Sequence, residues 1–143
     1  MTTIAWRGSV LAADSAITYG NTQGVCRKLI KAPGVAYGLA GDASSIFQFI
    51  DMIREGVDPF DIKIKGDFDC LMLNRDGCYL IQRNDYPIAL EGDFWAIGSG
   101  SEFAIGAMAA SKRVTARKAI EIACKYNPGT MPPISWARVR QRR

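Results

Sequence analysis

The sequence predicts an α+β fold with antiparallel sheet and helix in segregated layers, on three observations. Short β-rich runs are joined by tight-turn dipeptides, which favours hairpins over crossovers. Two later stretches carry apolar residues at helical spacing, and a third is marked by a capping serine. The order is strands, helix, strands, helices, strand, which is not the alternation of parallel βαβ units.

Thr2 to Arg7 and Val10 to Ser15 are β-rich and joined by Gly8-Ser9, a hairpin signal. Lys28 to Ala32 and Val35 to Ala40 flank Pro33-Gly34, a second one. Asp42 is placed to cap a helix to about Glu55, with Ile46, Phe49, Ile50 and Ile53 on one stripe and Gly56 as the stop. Phe68 to Asn74, Cys78 to Arg83, Ile88 to Glu91 and Phe94 to Ile97 read as a second set of strands, the first two around an Asp76-Gly77 turn. Ser101 is expected to cap a helix over Glu102 to Ser111, and Thr115 another with Ala116, Ala119, Ile120 and Ala123 on its buried stripe. Ile134 to Val139 is expected to close the fold as a strand.

A chain of 143 residues with 48% hydrophobic content suffices for one domain, 1–143, with its own core. No apolar run approaches the ~18 residues that span a bilayer, and no secretory signal pattern opens the chain, so a cytoplasmic protein is expected. Cys26, Cys70, Cys78 and Cys124 are scattered, and the chain has no histidine, which argues against structural zinc. Counting outward from the Asp76-Gly77 turn puts Cys70 and Cys78 on opposite faces, so reduced, space-filling thiols are expected. The +4 charge is partly a tail effect, since Arg138, Arg140, Arg142 and Arg143 crowd the end. Residues 137–143 read as a solvated, frayed basic tail rather than a contact surface, and the lack of aromatic-basic interleaving argues against nucleic acid.

The absence of histidine narrows the hydrolytic chemistry available. Removal of Met1 would put the Thr2 hydroxyl beside a free α-amine, whose ordinary pKa of about 7.7–8.0 makes it one of few bases poised near neutrality. Thr2 then carries its own base. Taken alone, Thr2-Thr3 could simply open a strand, Asp14-Ser15 form a turn, Lys28 be solvated, and Gly98-Ser99-Gly100-Ser101 cap a helix.

Taken in order, Thr2-Thr3-Ile4, Val10-Leu11-Ala12-Ala13-Asp14-Ser15, Arg27-Lys28-Leu29 and Gly38-Leu39-Ala40-Gly41 resemble the signature stretches of proteasome β-subunits and their bacterial relative HslV. Ala96-Ile97-Gly98-Ser99-Gly100-Ser101-Glu102-Phe103-Ala104 and Gly106-Ala107-Met108 extend the resemblance over most of the chain. It implies an N-terminal-nucleophile (Ntn) hydrolase: a four-layer αββα sandwich of two antiparallel sheets between helices. It further implies a threonine peptidase with Thr2 as nucleophile, Asp14 and Lys28 as its electrostatic partners, the Gly41 N–H as oxyanion donor, and Ser99 in hydrogen-bonded support. No metal or organic cofactor is required. A peptide or unfolded-protein substrate, a homo-oligomeric ring and an ATP-dependent unfoldase partner are implied by resemblance alone.

The chain departs from the family pattern in two places. Asn127 and Thr130 stand where the family carries an aspartate and, three residues on, a serine or threonine, and Met131-Pro132-Pro133 replaces a glycine pair with a stiffer turn. Only residues 56–67 separate the Asp42 helix from the Phe68 strand, so one helical layer is expected to be shortened. These departures keep open a catalytically silent structural subunit, and since N-terminal-nucleophile scaffolds host both chemistries, a small-molecule amidase is a further reading.

Overall fold

A computed structural model describes residues 2–19, 22–83 and 85–142. Met1 and Arg143 lie outside them, and with them the expectation that Met1 is removed and the last residue of the basic tail.

The four layers follow from period-two alternation on the central strands. β1 (Thr3–Arg7) pairs antiparallel with β2 (Val10–Ala13) across the Gly8-Ser9 turn. Ile4, Trp6, Leu11 and Ala13 point one way and Ala5 and Ala12 the other. β5 (Leu29–Ala32), β6 (Val35–Gly41), β7 (Phe68–Asn74), β8 (Gly77–Gln82) and β9 (Ile88–Ala89) form a second antiparallel sheet in that order. Along β7, Leu71 and Leu73 meet the first sheet's apolar side chains, whereas Cys70 and Met72 face outward. The expectation for Cys70 and Cys78 holds: the two thiols belong to different cores.

The first sheet is completed by β10 (Phe94–Gly98) and β11 (Ser135–Arg138), in the order β10, β1, β2, β11. Its outer face is almost all alanine, with Ala5, Ala12 and Ala96, so α2 (Ser101–Ala110) and α3 (Ala116–Tyr126) lie close on it through Ala104, Met108, Ala116, Ala119 and Ile120. α1 (Ala43–Arg54) covers the second sheet, burying Ile46, Phe49 and Ile50 with Ile62 and Ile64 against Tyr37, Leu39, Phe68 and Met72. Between α1 and β7 the chain forms only a short 3-10 turn, Pro59–Asp61, so the helical layer over this sheet is indeed shortened. Among the described residues no helix is long and apolar enough to cross a membrane.

Several local expectations are corrected. Ser101 is the first residue of α2, not its cap; Gly100 holds the cap position without a side-chain bond. Asp42 does precede α1 in extended backbone, but its carboxylate makes no capping bond, whereas the Thr115 hydroxyl accepts from Lys118 N–H as anticipated. β3 (Ala16–Tyr19) and β4 (Thr22–Val25) form a separate ribbon that the periodicity did not reveal. The chain after β11 is not frayed. Val139 N–H donates to Ser9 O, tying it to the β1–β2 turn, while Gln141 Nε2 donates to Asn74 O and Arg142 N–H to Arg75 O, fastening these residues at the β7–β8 turn.

Candidate active site

Thr2 immediately precedes β1, and β1 lies between β10 and β2 in the first sheet. The neighbouring strands therefore deliver the other groups. Asp14 follows β2 and Lys28 precedes β5, so a cation from the second sheet meets an anion from the first. Lys28 Nζ donates to Thr2 Oγ1 at 2.7 Å and to Asp14 Oδ1 at 3.3 Å. Lys28 is 2% and Asp14 0% exposed, so solvent screens neither charge.

Asp14 is fully employed. Oδ1 also accepts from Thr3 N–H at 2.9 Å, and Oδ2 accepts from the N–H groups of Ala16 and Met131, each at 3.1 Å. The carboxylate thus ties together β1, the start of β3, Lys28 and the proline turn. Burial pushes the Lys28 pKa below its ordinary 10.5, opposed by the Asp14 charge and its hydrogen bond. The ammonium that faces Thr2 Oγ1 is therefore a better proton donor than a solvated lysine.

Thr2, Lys28, Gly41 and Ser99 share the wall of one cavity of about 460 Å³. Gly41 ends β6 at φ +120°, where a Cβ would collide with the carbonyl of Asp67. Gly98 has the same function on the opposite side: at φ +96° its bare Cα lets β10 approach the Thr2 carbonyl.

Asn127 and Thr130 stand behind the cavity wall. Thr130 Oγ1 is 2.7 Å from Thr3 Oγ1 and donates to Asn127 Oδ1 at 3.3 Å, so the proton of the shorter contact comes from Thr3. Asn127 Oδ1 also accepts from Gly129 N–H, and Asn127 Nδ2 donates to Ser99 O at 2.9 Å. Ser99 is therefore held through its carbonyl, and its hydroxyl stands at 3.5 Å from Thr2 O, the limit of a hydrogen bond. The neutral amide at position 127 has a local reason: an aspartate there would set a carboxylate against the Ser99 carbonyl. We expect Asn127→Asp to cost about 1 kcal/mol in urea unfolding, one hydrogen bond's worth, while Gly129 and Thr130 keep their acceptor.

Two groups at the site were missed in the sequence. Thr3 links β1 to Thr130, a contact with no signal beyond its adjacency to Thr2. Cys26 lines the cavity beside Lys28 and is not merely space-filling. Its spacing two residues before Lys28 was the available clue. Burial raises the Cys26 pKa above the usual thiol value, with Lys28 pulling it down, so the thiol is not activated. Asp42, Asp67 and Asp69 also face the cavity. Among the described residues no group of three or more Cys, Asp or Glu is placed to hold a metal ion.

No protein-family profile matches the chain, and no curated protein matches it by sequence. Its fold is nonetheless shared with solved structures. It is similar to eukaryotic HslV from Trypanosoma brucei at 20% identity and TM-score 0.76, over 95% of this chain and 98% of that one. It is similar to Thiobacillus denitrificans BPH in complex with epoxomicin at 17% identity and TM-score 0.71, over 96% and 98% of the two chains. At these identities the likeness establishes the fold alone, the αββα sandwich of two antiparallel sheets between helices that the resemblance implied.

Proposed function

We propose that this chain, which shares the fold of HslV and BPH, is an N-terminal threonine hydrolase that cleaves peptide bonds through an acyl ester on Thr2. The observation that carries the reading is the 2.7 Å hydrogen bond from buried Lys28, itself held by Asp14, to Thr2 Oγ1 on a cavity wall. Lysine, aspartate and threonine on three different segments have no packing reason to meet there.

In this reading removal of residue 1 frees the Thr2 α-amine, which takes the hydroxyl proton as Oγ1 attacks the scissile carbonyl. Lys28 stabilises the developing alkoxide, and the Gly41 N–H receives the oxyanion. Such donors contribute about 3–4 kcal/mol elsewhere. Collapse expels the amine, which takes the proton from the α-ammonium, and leaves the ester. Water then attacks the ester, giving a proton to the α-amine; collapse breaks the acyl–Oγ1 bond, Oγ1 takes that proton back from the α-ammonium, and the acid departs. Ser99, Asn127 and Thr130 hold the backbone around Thr2 without touching the reacting atoms. BPH is described in complex with epoxomicin, and that a ligand occupies this scaffold there supports a ligand-binding cavity here. A homo-oligomeric ring in the cytoplasm is part of the proposal. The stacked Phe103 and Tyr126, 41% and 59% exposed, provide apolar surface for subunit contact.

The pH dependence has a definite sign. Activity should rise as the α-amine loses its proton around its ordinary pKa, about 7.7–8.0. It should fall as Lys28 loses its own, at a pH below 10.5 because burial lowers that pKa. Above the folded pKa of Lys28 the unfolded chain binds more protons, so the Lys28 contribution to stability increases toward pH 10.5 while activity declines. Arginine keeps its charge throughout this range, so Lys28→Arg should remove the alkaline limb from kcat/KM profiles of whatever activity it retains. Lys28→Ala should lower turnover at least ~100-fold. Near-normal cleavage by Lys28→Ala would remove Lys28 from the mechanism.

The three carboxylates on the cavity favour a second reading, an amidase for a small cationic amide. Competition between peptides and small amides for one turnover assay separates the two. Intact-mass measurement of cellular protein tests the silent-subunit alternative, because quantitative retention of Met1 would leave Thr2 without an amine.

A further inference from the structure

The basic C-terminal stretch is not used by the proposed chemistry, and the fold gives it a defined place. β11 is the last strand of the first sheet and β5 the first of the second, so each has one backbone edge without a strand partner among the described residues. Between them lies a groove of about 330 Å³ lined by Lys31, Gly34, Arg75, Arg138, Val139 and Arg140. Alternation explains the pattern: Ala137 and Val139 are buried, so Arg138 and Arg140 point outward together.

Lys31 joins them from β5 and Arg75 from the β7–β8 turn. Among the described residues none of these four cations makes an ion pair, and no carboxylate lines the groove. The adjacent Asp76 is engaged by Arg142 at 3.4 Å. The backbone that carries Arg138 and Arg140 is fastened by the Val139, Gln141 and Arg142 bonds, so the points from which these charges project are fixed. A charged side chain on an edge strand blunts self-pairing, and one per edge would serve that purpose. Arg75 and Arg140 lie outside β5 and β11 and still converge on the same groove.

We propose that this groove is a docking site for an extended acidic peptide segment of a partner protein, bound as an added strand along an exposed edge with its carboxylates on Lys31, Arg75, Arg138 and Arg140. Strand addition supplies backbone hydrogen bonds, and alternate side chains of the guest reach one face, matching the alternation of Arg138 and Arg140. An acidic peptide is favoured over nucleic acid because no aromatic side chain lines the groove to stack a base. The site is separate from the Thr2 cavity, whose Asp42, Asp67 and Asp69 repel the same guest.

Fluorescence anisotropy with a labelled peptide of alternating Glu and Val, its Lys/Val counterpart and a short oligo-dT tests this. Only the Glu/Val peptide should bind saturably, and binding should weaken at least ~10-fold between about 0.05 and 0.3 M salt. The variants Arg138→Gln/Arg140→Gln and Lys31→Gln/Arg75→Gln should each weaken it at least ~10-fold while leaving peptide hydrolysis and circular dichroism unchanged. Equal binding of oligo-dT, or Glu/Val binding insensitive to both variants, would overturn the proposal. So would variants that change only self-association in sedimentation, which would assign the charges to edge protection or to contact with a second copy.

Discussion

Thr2→Ala is expected to abolish hydrolysis, lowering kcat by about 10⁴-fold or more, as nucleophile removal does in other hydrolases. The variant should still fold. Thr2 lies at the entrance to β1, and its loss leaves Lys28 with Asp14 as ion partner, so unfolding free energy should change by no more than about 1–2 kcal/mol. Thr2→Ser keeps both hydroxyl and α-amine and should retain measurable turnover. Steady-state kinetics with a fluorogenic peptide, beside urea unfolding of each variant, makes the comparison. Cleavage by Thr2→Ala at a rate near that of the wild type would remove Thr2 as nucleophile.

The largest effect on stability is expected at Asp14. Its carboxylate accepts four hydrogen bonds, from Thr3, Ala16, Met131 and Lys28, and is completely buried. Asp14→Ala would leave a buried ammonium without its counter-ion and three backbone N–H groups without an acceptor. A broken buried pair costs about 3–5 kcal/mol, a large share of the roughly 5–15 kcal/mol that holds a domain together. Lys28→Ala should cost less, because Asp14 keeps its three N–H donors. Urea midpoints of the two variants give the order directly. Equal destabilisation would mean that the backbone N–H groups contribute little and the ion pair alone matters.

The arrangement of this pair shows what the sequence could convey. Strand ends marked by rigid turn chemistry were readable: Gly8-Ser9 and Pro33-Gly34 each sit between paired strands, with Gly8 and Gly34 at positive φ. The stripes of α1 and α3 were readable because each buries one face against a sheet. β3 and β4 were not, because Ala16 to Val25 lacks the apolar alternation that a buried sheet imposes. The ordering of residues 139–142 was equally hidden, since it depends on backbone groups of Ser9, Asn74 and Arg75 that carry no compositional signal.

At the candidate site, Thr2, Lys28, Gly41 and Ser99, which motif order singles out together, line one cavity. Partnership was less legible than membership. Nothing in the sequence shows that Asn127 reaches Ser99 through its amide nitrogen, or that Thr130 meets Thr3, because both contacts join segments far apart in the chain.

Treatment of the protein lacking residue 1 with a peptide epoxyketone, followed by intact-mass and peptide mapping, shows whether Thr2 Oγ1 and its α-amine react as one unit. A stable adduct with this reagent needs a threonine hydroxyl and its own α-amine together. The expected result is one adduct per chain, mapped to Thr2 and absent from Thr2→Ala. An unmodified chain, or an adduct on any other residue, would contradict the account.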